Sequence, residues 1–290
     1  MKSIINFKEL YAEDKTTIDL FIDGARVPIE YFVGRRVAVL GKTGSGKTVT
    51  GARLAEGLIQ GGLQLLIFDS EGDYTTLTKV SRVRVKVFKE GLDDDKIGFI
   101  VRAMIEYPLS VVVNLRSAFP KERDRIMMSF MSKLWNEIDS QSLKVGVVVY
   151  IDEAHQIIPQ SRPSNMALLM LTEQIAKQGR KRGVGLVILS QRPSEVQKNV
   201  LSQCDYKFLH RVDSPNDIDA FSEMLNFRGR SNAENRELVQ DEIMKLAKGQ
   251  CYYQYPTNKP GDKGFRLVRI KMRDSKHPGR TPGTEVLYPL

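Results

Sequence analysis

Short continuous apolar runs alternate along the chain with longer stretches in which apolar residues recur at helical spacing. That alternation predicts an α/β fold with a mostly parallel central sheet and helices on both faces. The runs at 36–40, 63–68, 111–113, 145–151 and 185–189 read as buried strands, and 145–151 is the most apolar of them. Residues 207–212 read as the next strand, and residues 83–88 alternate Val with Arg and Lys, as an edge strand with one wet face does. Helices are expected over 48–60, stopped by Gly61-Gly62, and from Asp93-Asp94-Asp95 to Pro108. Further helices are expected from Pro120 to about Asp139, over 166–178 with Ser164 as cap, from Ser214-Pro215, and over 234–248. Met127, Met128, Met131, Leu134 and Trp135 read as the core face of their helix. At the ends, Asp23-Gly24 signals a small hairpin, and 250–255 with 265–272 form a second one. Residues 273–290 are basic and carry three prolines, so they suit either a loose end or an arm lying on another subunit. The division that follows is a short β leader over 1–34, a core over 35–248, and a C-terminal β-hairpin with an extended tail over 249–290.

The chemistry concentrates where strands end. After the run at 36–40 comes Gly41-Lys42-Thr43-Gly44-Ser45-Gly46-Lys47-Thr48, then a helix. Strand, glycine-rich turn and helix together make the P-loop pattern a phosphate site, because curled backbone N–H groups and a helix N-terminus both favour an anion. Lys47 is placed to reach the β- and γ-phosphates of a nucleotide and the Thr48 hydroxyl to hold Mg²⁺. The run at 145–151 ends in Asp152-Glu153, the second half of such a site: Asp152 for Mg²⁺ through water, Glu153 as the base for the attacking water. His155 reads as a structural or coupling residue. Gln191, at the tip of a strand expected between the other two, is a candidate to bond water and γ-phosphate. Asp69, Glu71 and Asp73 follow a strand expected beside the P-loop strand, and suit either a place near Mg²⁺ or a solvated turn. Arg180-Lys181-Arg182 reads either as cations favoured at a helix C-terminus or as an arginine finger for a neighbour's γ-phosphate.

Length and charge widen the picture little. At 290 residues the chain suits one large domain with extensions, and a net charge of +9 favours a polyanionic partner or simply solubility. No apolar run approaches the roughly 18 residues that span a bilayer, and residues 1–10 lack a secretory core. Cys204 and Cys251 are isolated, without metal-ligand spacing. The expectation is a soluble, cytoplasmic protein with no membrane partner.

Three stretches, residues 40–48, 150–155 and 178–194, resemble the HerA branch of the HerA/FtsK translocases, ring-forming RecA-like ATPases that pump DNA. The third, Gln178-Gly179-Arg180-Lys181-Arg182-Gly183 running on to Ser190-Gln191-Arg192-Pro193, is the most specific. Residues 273–282 look like that family's basic tail, which reaches toward the adjoining subunit's nucleotide. The resemblance implies a RecA-like P-loop NTPase of the additional-strand, catalytic-glutamate kind. It implies ATP and Mg²⁺ as cofactors, Gln191 as sensor, Arg180 as preferred finger with Arg182 second, and a homohexameric ring translocating on double-stranded DNA. Lys121, Arg123, Arg125 and Arg162 are the candidate DNA contacts, with solvated helix faces as the plain alternative. HerA proteins carry an N-terminal β-barrel for which the first 34 residues give no room, so a nuclease partner is not implied. Two other readings stay open: a nucleotide-gated ring scaffold that activates an effector or nuclease, and a secretion or packaging ATPase with the same core. A DEAH-box helicase is disfavoured, because such motors hold two tandem RecA-like domains and this chain holds one.

Overall fold

The computed structural model describes residues 17–79, 84–89, 91–107, 109–141, 146–225, 231–257 and 264–275. Two short strands, β1 (Thr17–Asp19) and β2 (Arg26–Pro28), pair antiparallel across the expected turn, where Gly24 takes a φ of 78°. The core follows as β3 (Arg36–Leu40), α1 (Lys47–Gln60), β4 (Gln64–Asp69), β5 (Arg84–Phe88), α2 (Asp94–Glu106), β6 (Leu109–Asn114) and α3 (Pro120–Gln141). It continues with β7 (Val147–Ile151), α4 (Met166–Arg182), β8 (Val184–Ser190), α5 (Lys198–Leu201), β9 (Tyr206–Leu209), α6 (Pro215–Met224), α7 (Asn232–Asp241), β10 (Gln250–Gln254) and β11 (Phe265–Arg269).

The main sheet has nine strands in the order β11-β10-β9-β3-β8-β7-β4-β6-β5. From β9 to β5 every pairing is parallel, and β10 and β11 add an antiparallel edge. Because strand side chains alternate, each central strand feeds two cores. Ala38, Leu66, Val149 and Ile188 point to one face, where α2, α3, α4, α6 and α7 cover them. Val39, Ile67, Tyr150 and Leu189 point to the other, where α1 and the β1–β2 hairpin lie. The leader is therefore part of the second core: Ile18, Leu20, Val27 and Ile29 pack against α1 and the sheet. A main-chain bridge from Phe21 to Ile270 ties it to the C-terminal hairpin as well.

Several boundaries differ from the sequence reading. Helix α4 runs through Gly179 to Arg182 and stops at Gly183, whose φ of 75° forms a left-handed cap. Gly179 stays helical because α4 lies so close to β8 that a Cβ there would meet the Val184 carbonyl oxygen at 2.5 Å. The cap of α4 is Asn165, which accepts from the Leu168 N–H at 3.0 Å, while the Ser164 hydroxyl donates to Asp124 at 2.6 Å. The helix expected over 234–248 begins earlier, at a capping box of Ser231 and Glu234, and breaks at Glu242 before a short 3-10 turn, Ile243–Lys245. Val83, Pro108, the loop 258–263 and the tail 276–290 lie outside the described residues. Among the described residues no helix is long and apolar enough to cross a membrane.

The contact of α1 with the leader gives a test of this second core. A Cβ on Gly57 would stand 2.1 Å from Cγ2 of Ile18, a stiff β-branched side chain. Gly57→Ala is expected to destabilise by on the order of 1 kcal/mol, since overpacking outweighs the helix-propensity gain. In an Ile18→Ala background the same change is expected to stabilise. Denaturant midpoints of the four proteins check it, and a Gly57→Ala that stabilises in both backgrounds counts against the packing.

Candidate active site

Parallel register brings the motifs to one edge. Strand β8 lies between β3 and β7, with Leu40 opposite Ser190 and Ile151 opposite Ile188. The glycine loop after β3, Gln191 after β8 and Asp152-Glu153 after β7 therefore stand side by side at the carboxyl ends of adjacent strands.

The loop takes backbone angles that favour glycine: φ is 146° at Gly41, 76° at Gly44 and 116° at Gly46, which caps α1. At Gly44 an added Cβ would meet nothing within 4 Å, so the left-handed φ and not crowding favours glycine there. Lys42 donates its N–H to the Arg211 carbonyl at 2.8 Å, and Gly249 donates to the Ser45 carbonyl at 3.0 Å. His210 lies beneath, fully buried, its Nε2 2.9 Å from the Thr50 hydroxyl. A Cβ at Gly41 would fall 2.6 Å from the His210 Cβ, so no larger residue fits the loop's first position. Lys42 pairs with Asp213, and the Thr43 hydroxyl bonds Oε1 of Gln191.

Lys47, Asp152 and Glu153 are each 8–9% exposed. The Lys47 ammonium donates to the Lys42 carbonyl at 2.9 Å. Burial pushes its pKa down, and the carboxylates of Glu153 and Asp152 pull it back up. Burial drives Asp152 well above the usual carboxylate range, with Glu153 and Asp69 adding to the rise. Burial also raises Glu153, against the opposing pull of Lys47 and a hydrogen bond from the Gln191 backbone. Glu153 sits at φ 50°, a left-handed conformation rare for a side chain of this size, and its Oε2 is buried without a hydrogen bond. His155 Nδ1 stands 3.3 Å from that oxygen and 3.2 Å from the Ser190 hydroxyl. Among the described residues the Thr48 hydroxyl makes no hydrogen bond. The donor set fits Mg²⁺, which takes one or two protein oxygens and leaves its other positions to phosphates and water. Thr48 and Asp152 are the residues whose oxygens would serve it. The glycine loop at the N-terminus of α1, with Lys47 in its first turn, fits a polyphosphate.

Other expectations need correction. Two strands, β8 and β7, separate β4 from the P-loop strand, so Asp69 is not adjacent to it. Its buried carboxylate instead accepts the N–H groups of Gly72, Asp73 and Tyr74 at 2.7–3.0 Å and shapes the turn after β4. Burial lifts its pKa to about 6 despite those bonds. Arg123 is buried against Asp124 and Gln156 and so is not free to meet a polyanion, whereas Arg125 is exposed, with bonds to Glu122 and the Leu92 carbonyl. Lys121 and Arg162 are exposed, and Arg162 takes a φ of 51°.

The basic triplet splits. The Arg182 guanidinium lies over the Trp135 ring, 4.6 Å from its centroid. Arg180 is exposed, and its Cα would be 2.9 Å from a Cβ on Gly34, just ahead of β3. It therefore stands at the amino ends of β3 and β8, roughly 20 Å of strand from its own glycine loop.

Two groups had no motif to announce them. One is His210 beneath the loop. The other is Glu56 of α1, fully buried, which accepts from the backbone of Asp274 and Ser275 at 2.8–2.9 Å, and from Arg53. Glu56 follows Ala52 by four residues on the apolar side of α1, and a charged residue there is the signal that was available.

Fold and site together define a P-loop NTPase built on a RecA-like sheet. The family model described as "Helicase HerA, central domain" matches residues 14–182, more than half of the 290. The chain belongs to that family. It is similar to the DNA double-strand break repair helicase HerA of Pyrococcus furiosus, 29% identical over 165 residues, covering 55% of this chain and 28% of that one. Among solved structures it is similar in fold to the bacterial conjugative coupling protein TrwB, with TM-score 0.61, 13% identity and 94% of each chain covered. It also resembles the genome packaging NTPase B204 of Sulfolobus turreted icosahedral virus 2 in complex with AMP, with TM-score 0.56, 15% identity, and coverage of 82% of this chain and 98% of that one. The chain thus spans little more than a quarter of the length of the Pyrococcus relative.

The buried His210 carries a prediction. Burial first, and Lys47 second, push its pKa down to about 3. The unfolded chain protonates this ring below about pH 6.5, whereas the folded protein stays neutral. Stability carried by the neutral ring is complete above about pH 6.5 and is lost toward pH 3, at on the order of 1.4 kcal/mol per pH unit. His210→Gln removes that slope, so the parent's stability advantage over it narrows as pH falls. Denaturant titrations at about pH 7.5 and about pH 5 check it, and a gap that ignores pH contradicts the burial.

Proposed function

We propose that this chain is an ATP hydrolase that assembles as a ring of identical subunits, six in the leading reading, and translocates along double-stranded DNA. The observation that carries the chemistry is the buried carboxylate of Glu153, fixed by a left-handed backbone, with an unpartnered oxygen, on the strand end that Gln191 separates from the phosphate loop. A buried carboxylate of raised proton affinity suits a general base for water.

In this reading the N–H groups of the loop from Gly41 to Thr48 cradle the phosphates, and Lys47 lies against the β- and γ-oxygens. Thr48 and Asp152 would hold Mg²⁺, which would neutralise phosphate charge when bound. Glu153 takes the proton of the attacking water, and Gln191 orients that water beside the γ-phosphate. Arg180 serves a neighbouring subunit, because its place at the amino edge keeps it from its own loop. Arg182, stacked on Trp135, supports the helix end that presents Arg180. DNA as substrate rests on the net charge of +9, on exposed Lys121 and Arg162, and on the helicase and packaging roles stated for the relatives.

Glu153→Gln is expected to lower ATP turnover at least about 100-fold while nucleotide still binds. Arg180→Ala is expected to lower it about 1000-fold. Mixing Arg180→Ala with Lys47→Ala subunits is expected to recover part of the activity, since some interfaces then pair an intact loop with an intact arginine. Turnover by a single-subunit species, or Arg180→Ala as fast as the parent, would overturn the ring. Duplex DNA is expected to stimulate the parent. Stimulation only by a partner protein would favour the scaffold reading.

Phosphate-led contact predicts that log affinity for duplex DNA falls linearly with log salt, with a slope reduced by about one for each of Lys121→Ala and Arg162→Ala. Binding indifferent to salt would refute it.

A further inference from the structure

His155 has no part in the chemistry above, yet it stands between two of its components. It lies in the short 3-10 turn Ala154–Gln156, directly after Glu153. Its Nδ1 has two neighbours at nearly equal distance, the Ser190 hydroxyl at 3.2 Å and Glu153 Oε2 at 3.3 Å. Ser190 closes β8, and its hydroxyl also accepts the Arg192 N–H at 3.0 Å, so it is tied to the turn that carries Gln191. Gln191 in turn touches Thr43 of the phosphate loop. On the other side, Glu153 Oε2 is buried and receives no hydrogen bond.

A ring nitrogen facing a carboxylate oxygen carries the proton, because a bare lone pair there would oppose the carboxylate's own. The neutral ring then has one Nδ1–H and two acceptors. We propose that His155 is a positioning residue whose Nδ1 proton is shared between Ser190 and Glu153, and that it couples the strand tip bearing Gln191 to the base. When the proton goes to Glu153, the carboxylate is held in place for the water. When it goes to Ser190, that hold is released. Movement of the Gln191 turn shifts Ser190 and so decides which acceptor wins. The inference rests on the reading of Glu153 as base.

The test uses the full chain with His155→Asn, His155→Gln, His155→Ala and Ser190→Ala. An asparagine amide N–H falls near the place of Nδ1 and a glutamine one near that of Nε2. Turnover is expected to fall about tenfold in the Ala and Gln variants, with KM and the affinity for a non-hydrolysable ATP analogue within about twofold of the parent. The Asn variant is expected to recover to within about threefold of the parent. The double variant of His155→Ala and Ser190→Ala is expected to be no slower than His155→Ala alone, since both act through one proton. Equal losses in all three His155 variants, or losses that multiply in the double, would overturn the coupling. Imidazole nitrogen shifts of the labelled parent give a readout apart from activity: an Nδ1–H tautomer is expected, and an Nε2–H tautomer overturns it. An inactive parent, or Glu153→Gln as fast as the parent, removes the base reading and this inference with it. Failure of the coupling alone shows as an active parent, a slow Glu153→Gln and three indistinguishable His155 variants.

Discussion

One ammonium and two carboxylates are sheltered together at the carboxyl ends of three adjacent strands, and the rest of the structure is arranged to make that tenable. Burial works against each charge separately, lowering Lys47 and raising Asp152 and Glu153. Their opposite signs offset part of the cost, but only if the three strands keep their order and register. Hence β3, β8 and β7 are central, parallel and covered on both faces, where slippage by one residue would turn every side chain to the wrong core. Added positive charge would favour the ionised form of both acids, which is the electrostatic reason a divalent cation would suit this edge.

The phosphate loop owes its shape to residues far along the chain. Its first glycine lies against His210, its last against Gly249, and its N–H and C=O groups bond to Arg211 and Gly249. The end of β9 and the entry to β10 are thus the floor of the loop, and β10 and β11 continue the sheet that carries it. Glu56 repeats the pattern on α1, where a buried carboxylate is neutralised by Arg53 and by the N–H groups of residues 274 and 275. The β1–β2 leader, the loop helix and residues 274–275 meet there, through Arg53 and Glu56 of α1.

Much of this was legible because the signals were local. A strand, a glycine turn and a helix at 36–60, an apolar run ending in Asp152-Glu153, and a polar tip at Gln191 each state their own geometry. The expected order of those three strands is the one found. What could not be read was set by packing that the local pattern does not state. Asp69 suited either a place near Mg²⁺ or a solvated turn, and its strand, expected beside the P-loop strand, is parted from it by β7 and β8. Gly179 looked like a helix stop, but the close approach of Val184 requires glycine inside the helix. Arg123 looked like a free cation until Asp124 and Gln156 enclosed it. His210 had no signature at all, because its role comes from lying under a loop formed by residues 41–48.

The two arginines of the triplet bear on assembly geometry. Arg182 is committed to Trp135 of its own subunit, and Arg180 projects from the amino edge of the sheet. The glycine loop, Asp152 and Glu153 lie on the carboxyl edge. If Arg180 completes a site, the amino edge of one subunit must meet the carboxyl edge of the next. Such a contact joins two different surfaces. A two-fold dimer can satisfy it with the two sheets set antiparallel, each edge meeting its opposite, whereas a head-to-tail arrangement leaves one unpaired edge until the assembly closes. A ring is the closed head-to-tail solution, an open filament the other, and the pitch between successive subunits decides between them. Arg180 and Lys47 on opposite edges of one sheet therefore bear on how subunits would face each other if Arg180 is the finger, and not on how many there are.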